Sequence, residues 1–234
     1  MPEHHLTPPK EDSGDHLHML ARAGIASIPL VGGAAVELFN TIIAPPIVKR
    51  RNEWMEEVAK ALQKLADEEK ITLDTLKDDP AFIDSVLQAT QAAIRSHQQT
   101  KRDALRNAVL NSALPGSPDS STQLMFISFI DRFTEWHIRI LDLFSDPPRW
   151  AAKHSIAFPE LMAGGLSQIL LHAFPELNGR DPFYRQIWTD LNGSGLLNTP
   201  SIGGTMTGAG LVAKRTTDFG DQFLRFISEP HESA

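Results

Sequence analysis

Apolar residues return at steps of three and four along most of this chain, and that spacing commits it to α-helices. The clearest case follows Lys49-Arg50-Arg51, where Trp54, Met55, Val58, Ala61, Leu62, Leu65 and Ala66 form one face of a helix reaching about Glu69. Glu53, Glu56 and Glu57 fall in its expected first turn, where the helix dipole favours acids. Glu56 also stands four residues before Lys60, the spacing of an ion pair. Asp79-Pro80 reads as an N-cap followed by proline at the first helical position. From there Ile83, Leu87, Thr90, Ile94, His97, Lys101, Leu105, Ala108 and Ser112 draw a heptad-like stripe. One long helix is therefore expected as far as Leu114, about 50 Å at 1.5 Å per residue. His97 and Lys101 are read as a stretch where it leaves the core.

A chain of 234 residues can bury one sizeable core or two small ones. With 41% hydrophobic and 22% charged residues, wholesale disorder is excluded. The absence of cysteine removes disulfides, thiolate metal sites and a cysteine nucleophile, and fits a reducing compartment. Residues 1–16 carry prolines and acids instead of the basic and apolar regions of a signal peptide, and read as a flexible tail. His4, His5, His16 and His18 are read as solvated, not as a metal site.

Ala23–Val48 carries a single charge, Glu37, and is long enough to cross a membrane. Its content argues otherwise. Pro29, Gly32-Gly33 and Pro45-Pro46 break it into two short helices around a Gly-Gly bend, the proline pair ending the second. Two readings stand. The segment is a hairpin in the protein's own core, or it dips into a membrane surface with Ile25, Ile28, Leu30, Phe39, Ile42 and Ile43 toward lipid. In the second case Lys49, Arg50 and Arg51 would lie at the headgroups.

Pro115-Gly116-Ser117-Pro118 is the strongest break, so a helical domain is expected over 17–117 and a second domain over 118–230, with 231–234 a tail. Leu124–Phe144 is apolar on most faces and is expected at the centre of the molecule, with Thr134 able to divide it as a cap. Trp136, Ile140 and Phe144 should be buried. Beyond it, one helix stops at Asp146-Pro147-Pro148, a second starts near Pro159, and a third follows Asp181-Pro182 and ends at Gly193 or Gly195. Leu196–Thr199 and Leu211–Thr216 read as a hairpin around a Gly-rich loop, and Thr217 caps a closing helix with Phe219, Phe223, Phe226 and Ile227 inward. The expected fold is mainly α: an N-terminal helical bundle with a long helix, then a winged-helix-like module with a small β-hairpin.

Arg106–Leu114, Phe133–Leu141 and Thr217–Leu224 resemble stretches of helical bacterial proteins similar to the Abi-alpha group, which is linked to abortive infection by phage. The resemblance rests on helical texture and carries no catalytic motif. It implies a role in phage defence and transfers no functional residue.

Templates for chemistry fail in turn. No Gly-rich loop ends in Lys-Ser or Lys-Thr, no His-Glu-x-x-His pair exists, and Gly193-Ser194-Gly195 follows a helix, as a C-cap would. Glu135 and His137 are two apart and point to different sides, and His137, His154 and His172 are isolated. No enzyme, no metal and no cofactor are expected. From Asp131 to Pro230 nine bases face eleven acids, a poor match to a phosphate backbone. The function expected is that of a non-enzymatic interaction protein, binding a protein partner or itself, cytoplasmic and peripheral at the inner membrane face if the lipid reading holds. The alternative is a winged-helix DNA-binding regulator contacting nucleic acid through Arg185, Gln186, Thr189, Asn192, Lys214 and Arg215.

Overall fold

The computed structural model describes residues 33–230, with side chains described from Ile47 onward. The expectations for residues 1–32 and 231–234, including Ile25, Ile28 and Leu30, lie outside them, as do those for the side chains of Phe39, Ile42 and Ile43. The chain divides into two compact units between Glu53 and Trp54.

The described residues are mainly helical, with one small sheet. Helix α1 covers Gly33–Asp67. The expected stop at Pro45-Pro46 is not there. The pair removes two backbone donors, and the ladder on either side carries the helix across. With the helix starting at Gly33, Glu53, Glu56 and Glu57 lie in its middle and not in a first turn. The Glu56–Lys60 pair is present at 2.5 Å, and Lys49 lies 3.8 Å from Glu53. Helix α1 ends where Glu69 takes the left-handed conformation, φ +57. The Glu69 N–H bonds to the Ala66 carbonyl and the Lys70 N–H to that of Leu65, a Schellman closure.

In the second unit α2 (Leu73–Leu76), α3 (Pro80–Arg95) and α4 (Gln99–Ser112) follow. Asp79 caps α3, accepting from Ala81 at 2.9 Å and Phe82 at 3.3 Å. The expected helix from Asp79 to Leu114 is two helices. Ser96 and Gln98 are extended, and the Ser96 hydroxyl accepts the Gln98 N–H at 3.3 Å. A Ser-His-Gln-Gln run offers no apolar grip to hold the ladder, and serine competes for backbone donors. Small residues line the contact: Ala89, Ala92 and Ala93 on α3, Ala104 and Ala108 on α4, all buried.

Pro115–Pro118 turns the chain into α5 (Ser120–Arg132), which packs on α3 and α4. One hydrophobic core runs across this segment, where a domain boundary was expected. Gln123, buried, ties the turn in: it accepts from Ser85 at 2.9 Å and donates to the Pro118 carbonyl at 2.8 Å. Thr134 does divide the apolar stretch, standing as N-cap of α6 (Glu135–Ser145). Ile140 and Phe144 are fully buried. Trp136 is only partly so, lying on the flank with the Arg139 guanidinium 4.0 Å over its ring.

Asp146-Pro147-Pro148, expected as a stop, also starts α7 (Pro147–Lys153), with Asp146 as its cap. The helix expected near Pro159 begins at Leu166 instead: β1 (Ala163–Gly165) comes first, then α8 (Leu166–Ala173). Helix α9 (Asp181–Gly193) matches expectation, with Gly195 at φ +75 closing it. The hairpin is only partly as expected. Leu197 and Thr216 form an antiparallel bridge, but the sheet pairs β1 with β2 (Thr205–Thr207), Gly164 opposite Met206. Gly208–Leu211 is a short helix, α10, because Thr207 accepts the Gly210 N–H and turns the chain. Thr217 caps α11 (Asp218–Ile227) at 2.9 Å, and Phe223 and Phe226 pack around Phe126.

Candidate functional site

A distinctive surface lies where α1, α2 and α3 come together. Leu62 of α1, Leu73 and Leu76 of α2, and Phe82, Ile83, Val86 and Leu87 of α3 line an open groove of about 340 Å³. Among the described residues Lys77 is its one polar lining residue. Leu76 and Phe82 form the floor at 9% and 8% exposure, while Leu73, Ile83 and Leu87 stand open at 37%, 40% and 57%. Two local devices set this geometry. The closure of α1 at Glu69 reverses the chain, and the Asp79 cap with Pro80 fixes where α3 starts. A second hollow shares Leu73 and runs on past Ala66, Glu69, Ile71, Thr72 and Asp74.

By the heptad-like stripe Ile83 and Leu87 belong to a core. The buried face of α3 is instead Phe82, Ser85, Ala89, Ala92 and Ala93, one position round the helix. Leu73, Leu76, Phe82 and Val86 were not picked out from the sequence. Their signal is the doubling of apolar residues, Phe82-Ile83 and Val86-Leu87, which makes α3 apolar over a wider arc than one buried face needs.

A second, charged cleft of about 800 Å³ lies among α6, α7 and α11. Arg149, Lys153, Lys214 and Arg225 line it with Asp142, Asp146 and Asp221. Asp146 is spent on capping α7, and Asp221 holds both Lys214 and Thr216. The hydroxyls of Ser145 and Ser228 donate to the carbonyls of Asp142 and Leu224.

His137 is 6% exposed and stacks on Phe133, with ring centres 4.6 Å apart. Its Nδ1 accepts the Thr134 N–H at 3.1 Å, so it fills the place that Glu or Gln holds in a capping box. That leaves the ring proton on Nε2, 3.4 Å from Asp190. Burial holds the imidazole below the ordinary histidine range, against an opposing pull from Asp190. His154 stacks on Trp150, and His172 bonds the Ala157 carbonyl. Among the described residues no group of three histidines or acids is placed to hold a metal ion.

The residues of the nucleic-acid reading are dispersed in role. Asn192 donates to the Leu197 carbonyl at 2.9 Å, Lys214 is paired with Asp221, and Arg215 bonds the Gly210 carbonyl and the Met206 sulfur. Gln186 donates to Asp190, and the Thr189 hydroxyl to the Arg185 carbonyl. Arg185 is half exposed, 4.0 Å from Asp181. Of the cations of the lipid reading, Lys49 is exposed while Arg50 and Arg51 are partly buried. Among the described residues no helix is long and apolar enough to cross a membrane.

Fold and site together define a mainly helical protein with a small antiparallel sheet, an apolar groove between helices and a salt-laced cleft. No protein-family model, no curated protein and no solved structure matches the chain.

Proposed function

We propose that this is a non-enzymatic interaction protein that binds a protein partner through the α1–α2–α3 groove. One observation carries the reading. Three large apolar side chains stand open around a lining that is apolar except for Lys77. Contiguous apolar surface of this kind marks interaction sites, and a trough between helices suits an amphipathic helix presenting anchors at i, i+3, i+4 and i+7. The test is selection from a displayed library of amphipathic helical peptides on the wild type, with Leu87→Glu as counter-target. Leu87 is more than half exposed, so the variant should keep its helical signal and melting temperature. Peptides that bind the wild type and not the variant are expected. A library that yields none retires the groove.

The C-terminal region is proposed as winged-helix-like. Its support is the order helix, strand, helix, helix, strand, with β1 pairing to the strand that follows α9. Use of that module on DNA has less support, because Asn192, Lys214 and Arg215 are engaged within the fold. Peripheral membrane contact through 23–48, and the phage-defence role that the Abi-alpha resemblance implies, are carried along with the same interaction reading. Liposome flotation and phage plating on expressing cells are their tests.

A further inference from the structure

We infer that the partner segment seated in the groove is a basic amphipathic helix of another protein. This rests on the groove reading above and adds the partner's chemistry. Between Asp67 and Asp84 the chain carries seven acids and two bases, a net of −5 within a whole-chain charge of −7. That stretch is the one that builds the groove's end and one wall. Six of the acids, Asp67, Glu68, Glu69, Asp74, Asp78 and Asp84, are exposed. Both bases are already matched from inside: Lys77 lies 2.5 Å from Asp74, and Lys70 lies 3.0 Å from Glu68.

The negative charge follows the apolar track. Asp84 sits beside Ile83 and three residues before Leu87 on the same helix, where side chains share a face. Glu69 and Asp74 line the hollow that continues the groove past Leu73. An apolar trough with a net-negative border selects a segment whose Leu, Ile or Phe stripe is flanked by Lys or Arg, since charge complementarity sets partner choice and encounter rate. The same field repels anionic lipid headgroups, so this face is not the membrane-facing one.

The test uses the full chain and two labelled helical peptides with one leucine stripe, flanked in one by Lys and in the other by Glu. By fluorescence anisotropy at low salt the Lys peptide should bind at least ~10-fold more tightly. The gap should close near 1 M salt, where the screening length falls to about 3 Å. Asp78→Lys with Asp84→Lys, both exposed, should shrink the preference while circular dichroism stays unchanged. Equal affinity of the two peptides at low salt overturns the inference and leaves the groove reading standing. Failure of both peptides, together with an empty library selection, removes the groove reading itself. A dimer in sedimentation that Leu87→Glu splits would put a second copy in the groove, and would also overturn the inference.

Discussion

His137 shows how one side chain can serve a helix end and a core at once. It closes the α6 cap through Nδ1, stacks on Phe133, and faces Asp190 through Nε2. Protonation would take away the acceptor that the Thr134 N–H uses, and burial opposes the charge. The folded pKa therefore lies below the unfolded one, whose ordinary value is 6.5. With the unfolded chain binding the proton more readily, this group's contribution is complete above about pH 6.5 and is lost as pH falls below it. Glutamine at the same place keeps a side-chain acceptor for the cap and cannot titrate. His137→Gln should therefore melt with a flatter pH dependence than the wild type between about pH 7.5 and 5.5. Parallel curves over that window would mean that His137 is not held neutral by the fold.

At the scale of elements, the contact between α4 and α11 does most to join early and late stretches of the chain. Asn107 and Asn111, one turn apart, reach the open carbonyls at the end of α11. Asn107 donates to Ile227 at 3.0 Å, and Asn111 to Phe226 and Ser228 at 2.8 Å each. These carbonyls have no partner within their own helix, so the two amides act as its C-terminal cap. Replacing both with Ala should cost about 2–4 kcal/mol, at 1–2 for each buried bond set left open. Urea unfolding would read it, and a loss below ~0.5 kcal/mol would show that water serves the carbonyls equally well. Much of this level was legible in the sequence. Caps at Asp79, Thr134 and Thr217 lie where the residue types put them, because a cap is a local bargain among four residues. The break at Ser96–Gln98, the start of α7 at Pro147 and the pairing of β1 with β2 were not. The first two rest on local signals, a serine that competes for backbone donors and an Asp-Pro cap, which the heptad-like stripe and the reading of the proline pair as a stop outweigh. The sheet depends on what lies across the fold, with Gly208 bonding the Met162 carbonyl forty-six residues back. The groove was half legible. Ile83 and Leu87 carry the period of a buried stripe, and only the packing of Phe82 and Ala89 one step round the helix shows that they face outward.

On the scale of the whole molecule, residues 54–230 share one core while their surface divides by chemistry. The helices before Pro115 present an apolar trough with an acidic border, and the region beyond it presents a cleft where acids and bases offset one another. Among the described residues of the later region, His137, His154 and His172, many hydroxyls and cations such as Arg139 and Lys214 are bound into caps, stacks and ion pairs. The open apolar side chains of α2 and α3 are not used in this way. The proposed contact with other molecules is therefore placed on α1, α2 and α3. Methyl NMR on the full chain, labelled at Ile, Leu and Val and titrated with the Lys-flanked helical peptide, locates the contact without any substitution. The methyl shifts should move at Leu62, Leu73, Leu76, Ile83, Val86 and Leu87 and stay still at Ile187, Leu191 and Leu224. Shifts confined to α9 or α11, with the groove methyls unmoved, would contradict that assignment.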